Sequence, residues 1–174
     1  MLAYVLLASA ISGALAKICD DYQDRGLSLA PILVFFLSII YGLLLGLLSA
    51  YTTLASLFLA LVFANALSQK IDGVHIIALC SFCLVVLNMG LFSFDPWIFS
   101  LLLFCAILDE INLRIFRPLN FLFENRLCVP IGATIASFLL ADVIFLASII
   151  AFDILYKITD HMILRHLQSK SIKK

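Results

Sequence analysis

Long apolar runs separated by short polar stretches account for nearly the whole chain. The first run, Leu2 to about Cys19, predicts a helix that ends in the charged stretch Lys17–Arg25. No charged residue occurs between Gly26 and Gln69, and about 44 residues at roughly 1.5 Å each suffice for two helical crossings of a ~30 Å hydrocarbon layer. The polar run Ser49–Thr53 divides them into helix 2 and a third helix from about Thr53 to Ser68 that carries Asn65. Helix 4 covers about Val74 to Phe92 and holds Asn88. Helix 5 starts at Pro96, with Asp95 as its N-cap and Trp97 at the interface. Ile111–Leu127 mixes Arg114, Arg117, Glu124 and Arg126 with large apolar residues, the pattern of a segment lying along an interface. A sixth helix, Cys128 to about Tyr156, places Asp142 near its middle and Asp153 on the same face, about three turns later.

This reading is an all-α, polytopic integral membrane protein of the cell membrane, with about six transmembrane helices and one interfacial amphipathic segment. Residues 1–156 form the transmembrane domain and 157–174 a basic C-terminal tail. Small residues mark close helix contacts: Ser9 and Gly13 on the first helix, and Ser38, Gly42, Gly46 and Ala50 as a ladder on the second.

Composition agrees. Hydrophobic residues make up 64% of the 174, the mean hydropathy is +1.18, and 13% are charged, against about 25% in a soluble domain. Acidic and basic residues balance at 11 each, so no overall field points to nucleic acid. The five cysteines lie in or beside apolar runs, which argues against a disulfide framework. Cys80 and Cys83 share a helix face, but no second pair stands in a nearby loop to exchange with them. Ala14-Leu15-Ala16 looks like a signal cleavage site; without a basic n-region before it, the run reads as the first membrane helix.

Alternation of helices brings Asp20/Asp21/Asp24, Lys70/Asp72/His75 and Asp109/Glu110/Arg114 to one membrane face. The positive-inside rule makes that face cytoplasmic, since Ser49–Thr53 and Ser93–Asp95 contain no Lys or Arg. Six spans, however, leave the basic tail on the other side. An odd number, from a dip before the last helix or a break within it, removes the conflict.

Lys17, Asp20, Asp21 and Asp24 recur at i, i+3, i+4 and i+7, one helix face. Asp-Asp-x-x-Asp at 20–24 resembles the aspartate-rich motif of enzymes that use isoprenyl diphosphates, including UbiA-type membrane prenyltransferases. The resemblance implies carboxylates that hold Mg²⁺, which binds the diphosphate and helps it leave. The second, similarly spaced aspartate motif of that family has its best counterpart here in Asp109-Glu110 followed by Asn112. The functional expectation is a magnesium-dependent enzyme acting on a lipid-linked or isoprenoid phosphate. Asp20, Asp21, Asp24, Asp109 and Glu110 are its metal ligands, and Lys17, Lys70, Arg114 and Arg117 its phosphate partners. No local set suggests nucleophilic catalysis, and there is no glycine-rich phosphate loop.

Two other readings stand beside it. An acid in mid-membrane costs a few kcal/mol, so Asp142 is either hydrogen-bonded to Asn65 or Asn88, or part of a proton or cation path with Asp153. The path would make the protein a small transporter or channel, and a homo-oligomer, since six short helices enclose little volume. A non-catalytic membrane subunit or scaffold requires neither site.

Overall fold

The computed structural model describes residues 2–68, 72–91, 93–111, 121–122 and 126–171. Among them are seven helices and no strand: α1 (Leu2–Asp24), α2 (Pro31–Tyr51), α3 (Ala55–Leu67), α4 (Gly73–Met89), α5 (Pro96–Ile111), α6 (Cys128–Leu139) and α7 (Ile144–Ser171). Two of them, over Leu2–Asp24 and Pro31–Ala50, are long and apolar enough to cross a membrane. Ala55–Leu67, Gly73–Met89, Pro96–Asp109 and Cys128–Leu139 are apolar but shorter.

Local chemistry explains most of the boundaries. Gly26, at φ +63°, ends α1 in the left-handed conformation, and the Leu27 N–H reaches back to the Asp21 carbonyl in a bond of Schellman type. Pro31 opens α2 at a position where its missing N–H is no loss. Asp72 caps α4 by accepting from the N–H groups of Val74 and His75, both at 3.1 Å. Asp95 caps α5 as its sequence position predicts, accepting from Trp97 at 2.8 Å and Ile98 at 3.1 Å.

The expected sixth helix is two helices. Ala141 takes φ +52°, Asp142 donates its N–H to the Ser137 carbonyl, and the Asp142 carboxylate then accepts from the Ile144 N–H at 3.0 Å to start α7. Its other oxygen accepts from Thr53 Oγ1 at 3.2 Å. Asp142 is therefore a capping residue at a turn rather than an acid in mid-helix, and its partner is Thr53 rather than Asn65 or Asn88. Asn88 is exposed and turns its amide back to the Leu84 carbonyl. The break brings the number of helices to seven. The interfacial segment expected over Ile111–Leu127 falls mostly outside the described residues, and α7 continues without interruption past Lys157 into the basic tail.

Six helices close a ring: α1 packs on α2 and on α7, α7 on α6, α6 on α5, α5 on α3, and α3 more lightly on α2. The fourth lies outside the ring against α2. The small residues set these contacts. A Cβ on Gly13 would sit 2.2 Å from the Phe152 carbonyl oxygen of α7, and one on Gly42 would sit 2.0 Å from the Ala78 carbonyl oxygen of α4, so the backbones touch where the sequence expected them to. The core of the ring is Leu48, Leu54, Leu57, Phe58, Leu102 and Phe145, all essentially inaccessible.

The ring has two distinct ends. One carries the α2–α3, α4–α5 and α6–α7 turns, held together by Thr53–Asp142 and by Ser56, whose hydroxyl donates to the Asp95 carbonyl at 3.1 Å and accepts its N–H at 2.9 Å. The connections 52–54, 90–95 and 140–143 contain no Lys or Arg. The other end gathers the C-terminus of α1, the N-termini of α4 and α6, and the middle of α7.

Candidate functional site

At this second end the ring encloses a cavity of about 770 Å³. The carboxylates of Asp20, Asp24, Asp72, Asp109 and Asp153 line it, with Lys17, His75 and Arg126. Asn65, Tyr41 and Tyr156 add neutral polar groups. Deeper in, the wall is apolar: Leu45 of α2, Leu61 and Val62 of α3, Ala106 of α5, Val129 of α6, and Ile149 of α7. The cavity is therefore charged at its rim and hydrocarbon at its floor.

Helical geometry divides the Asp-Asp-x-x-Asp stretch. Neighbouring residues on a helix point about 100° apart, and the two adjacent aspartates separate accordingly. Asp20 and Asp24, at i and i+4, face the cavity. Asp21 turns toward α7, where it is 1% exposed, and joins a quartet of charges. Lys17 Nζ lies 2.9 Å from Asp21 Oδ1 and 2.9 Å from Asp160 Oδ1. Arg25 Nη1 lies 3.3 Å from Asp21 Oδ1 and 2.7 Å from Asp160 Oδ1. Two cations and two anions cancel, which is how a buried charge is tolerated. Burial pushes the Asp160 carboxyl up, but the hydrogen bonds and charges of Lys17 and Arg25 outweigh it and hold the group below the ordinary carboxylate range. The expectation that Lys17, Asp20, Asp21 and Asp24 act from one face is thus corrected, with Asp21 withdrawn into a structural ion cluster.

Asp20 is bound twice within the cavity wall. His75 Nε2 stands 2.9 Å from its Oδ1, and the Tyr156 hydroxyl donates to its Oδ2 at 2.6 Å. The other ring nitrogen, His75 Nδ1, is 2.9 Å from Asp72 Oδ1. Asp72 thereby caps α4 and orients His75, and the chain Asp72–His75–Asp20–Tyr156 links the start of α4, the end of α1 and the middle of α7. Asp109 is 8% exposed, and its two oxygens accept from the N–H groups of Cys128 at 3.0 Å and Val129 at 2.8 Å, so it caps α6 from the end of α5. Asp24 and Asp153 also line the cavity, and no hydrogen bond joins either carboxylate to another described side chain. Asn65 faces the same space from α3. The side chain of Glu110 and the residues Lys70, Arg114 and Arg117 lie outside the described set.

Among the described residues no three His, Cys, Asp or Glu side chains stand together as a ready metal cage. Magnesium seldom uses one: it keeps several waters and takes one or two carboxylates together with substrate phosphates. The oxygen donors of Asp24 and Asp153 fit that chemistry, and Asp20, Asp21 and Asp109 are engaged elsewhere.

Tyr156 and Asp160 are site residues that sequence reading passed over, whereas Asp72 and His75 were placed on this face without a role. Asp160 had a signal, since it is the one acid in an otherwise basic tail. Tyr156 had none that separates it from any aromatic residue near a helix end. No protein-family model, curated protein or solved structure matches this chain.

Proposed function

We propose that this chain is a polytopic membrane protein whose cavity takes the head group of a lipid-linked or isoprenoid phosphate, with Mg²⁺, as an enzyme working at the cytoplasmic boundary. The observation that carries the reading is the cavity itself, with a carboxylate-rich rim over an apolar floor. A ligand that satisfies both parts is amphiphilic. The rim holds more carboxylates than cations among its described residues, so an anionic head group fits there only if it brings a divalent cation with it.

The membrane placement rests on the outer surface. Leu87, Trp97 and Phe138 are 84–86% exposed, and large apolar side chains also face outward on α1, α2 and α7. A water-soluble protein seldom exposes so many large apolar side chains. Hydroxyls inside the helices are turned back to their own backbone, Ser12 to Ala8, Ser38 to Val34, Ser81 to Ile77 and Thr134 to Pro130, as suits helices whose polar groups have no water to meet. Seven crossings, with the five short or polar-ended helices completing the bundle, put the cavity and the basic tail on one face. The positive-inside rule makes that face cytoplasmic.

In this scheme one carboxylate, Asp24 or Asp153, would hold Mg²⁺ together with the phosphate oxygens; the ion neutralises phosphate charge and stabilises it on a departing group. Arg126 adds positive charge at the rim, and the Asp72–His75–Asp20–Tyr156 chain keeps the wall in register. The test is thermal stability of the detergent-purified protein with Mg²⁺ and geranylgeranyl diphosphate, separately and together. Stabilisation that needs both, and that disappears in Asp24→Asn or in Asp153→Asn, is the expected result. Asp21→Asn is the contrasting variant, lowering stability with or without ligand. A wild-type protein that responds to neither ligand, or variants that respond as wild type does, would sink the proposal.

A further inference from the structure

A second, narrow cleft opens between α2, α3 and α4. It holds about 40 Å³, against about 770 Å³ for the main cavity, too little for a head group. Five residues belong to both: Tyr41, Leu45, Val62, Asn65 and His75. The cleft is thus a side extension of the cavity. Its origin is the packing of α4. Gly42 lets the α4 backbone at Ala78 press against α2, and Gly46 receives Val85 in the same way. This draws α4 onto the outside of α2 and leaves it beside α3 without the close packing that joins α3 to α5. Polarity falls along the cleft. Next to Asp20 stand His75 and Asn65; beyond them come Ala78, Leu79 and Phe82, about 10 Å further along α4 at 1.5 Å per residue.

We infer that this cleft between α2, α3 and α4 is the binding site for the hydrocarbon chain of the ligand whose head group occupies the cavity. The inference rests on the amphiphilic-phosphate reading above and adds to it a chain-length specificity and a direction of entry. The head group sits at the level of Asp20 and His75, and the chain leaves the ring sideways across Val62 and Leu79. Such a ligand reaches the site from within the bilayer, without its chain crossing water.

The experiment compares Mg²⁺-dependent binding of dimethylallyl and geranylgeranyl diphosphate by the full chain in nanodiscs, for wild type, Val62→Trp and Leu79→Trp. Each buried methylene favours binding by about fourfold, so wild type is expected to prefer the longer ligand by roughly tenfold or more. Both tryptophan variants, which fill the cleft from opposite walls, are expected to lose that preference; Leu79→Trp, at a residue that lines the cleft but not the main cavity, is expected to keep its affinity for the short ligand. Equal binding of the two diphosphates by wild type overturns the inference while leaving the head-group reading intact, and so does a long-chain preference that survives both substitutions. In parallel, a diazirine-bearing geranylgeraniol is photolysed on the wild-type protein, a readout that needs neither phosphate nor metal. Labels on α3 and α4 around Val62, Leu79 and Phe82 support the chain site even if no diphosphate binds, an outcome that would remove the head-group reading alone. Labels spread over the outer surface overturn the chain site.

Discussion

Asp72, Asp95, Asp109 and Asp142 share one occupation, accepting the free N–H groups at the start of a helix, although sequence reading gave that role only to Asp95. A helix cap is a local event when the acid immediately precedes the helix. Asp109 departs from this, since it lies 19 residues before the first N–H it accepts, and only the approach of α5 to α6 makes the contact. Asp109→Ala is expected to cost about 1–2 kcal/mol of stability, measured as a shift in the denaturation midpoint. Asp109→Asn keeps an acceptor and loses less. Asp160 makes a prediction about pH. Its folded-state pKa lies below the ordinary unfolded value of about 3.9, so its ionised form stabilises the protein above that value and the stabilisation is lost as pH falls through the lower folded value. Melting temperature is therefore expected to drop in acid below about pH 4. Asp160→Asn should begin lower at neutral pH and show a flatter profile over that window; a profile identical to wild type would show that the quartet around Lys17 does not bind α1 to α7.

At the scale of elements, the small-residue ladder was legible because backbone contact needs the absence of a side chain, and a missing side chain is written in the sequence. Gly42→Ala would press a methyl group onto the Ala78 carbonyl of α4, and Gly13→Ala onto the Phe152 carbonyl of α7. Overpacking of this kind typically costs about 1–3 kcal/mol, and neither carbonyl can swing away as the end of a side chain could. Gly73→Ala meets nothing within 4 Å and serves as the neutral control in the same melting measurement. A break within the last helix was one of the two ways to an odd number of spans, but its position between α6 and α7 was not legible. Leu139, Leu140, Ala141 and Val143 surround it with apolar residues, and no Gly or Pro marks it. What decides it is Thr53, which meets the Asp142 carboxylate from the α2–α3 turn.

For the whole molecule, the extra turn resolves the conflict over the basic tail. On the membrane reading proposed above, seven crossings would put the tail, the α1 end and the cavity on one side, and the connections without Lys or Arg on the other. In a cysteine-free background, Ser93→Cys is expected to react with a membrane-impermeant thiol reagent applied to intact cells, whereas Gly26→Cys reacts only after the cells are opened. The reverse pattern would invert the orientation, and reaction of both from outside would remove the membrane topology altogether.

The sequence by itself determined the helical class, most helix boundaries, the tight seams and the confinement of charge to certain stretches. These follow from properties carried by consecutive residues: apolar run length, capping chemistry and side-chain size. Which aspartate faces which neighbour was decided by the tertiary structure. Asp20 and Asp21 are adjacent and chemically identical, yet one meets His75 and Tyr156 in the cavity and the other meets Lys17 and Arg25 beside α7. The rotation of α1 in its packing against α7 sets that difference, and it depends on surfaces more than a hundred residues apart in the chain.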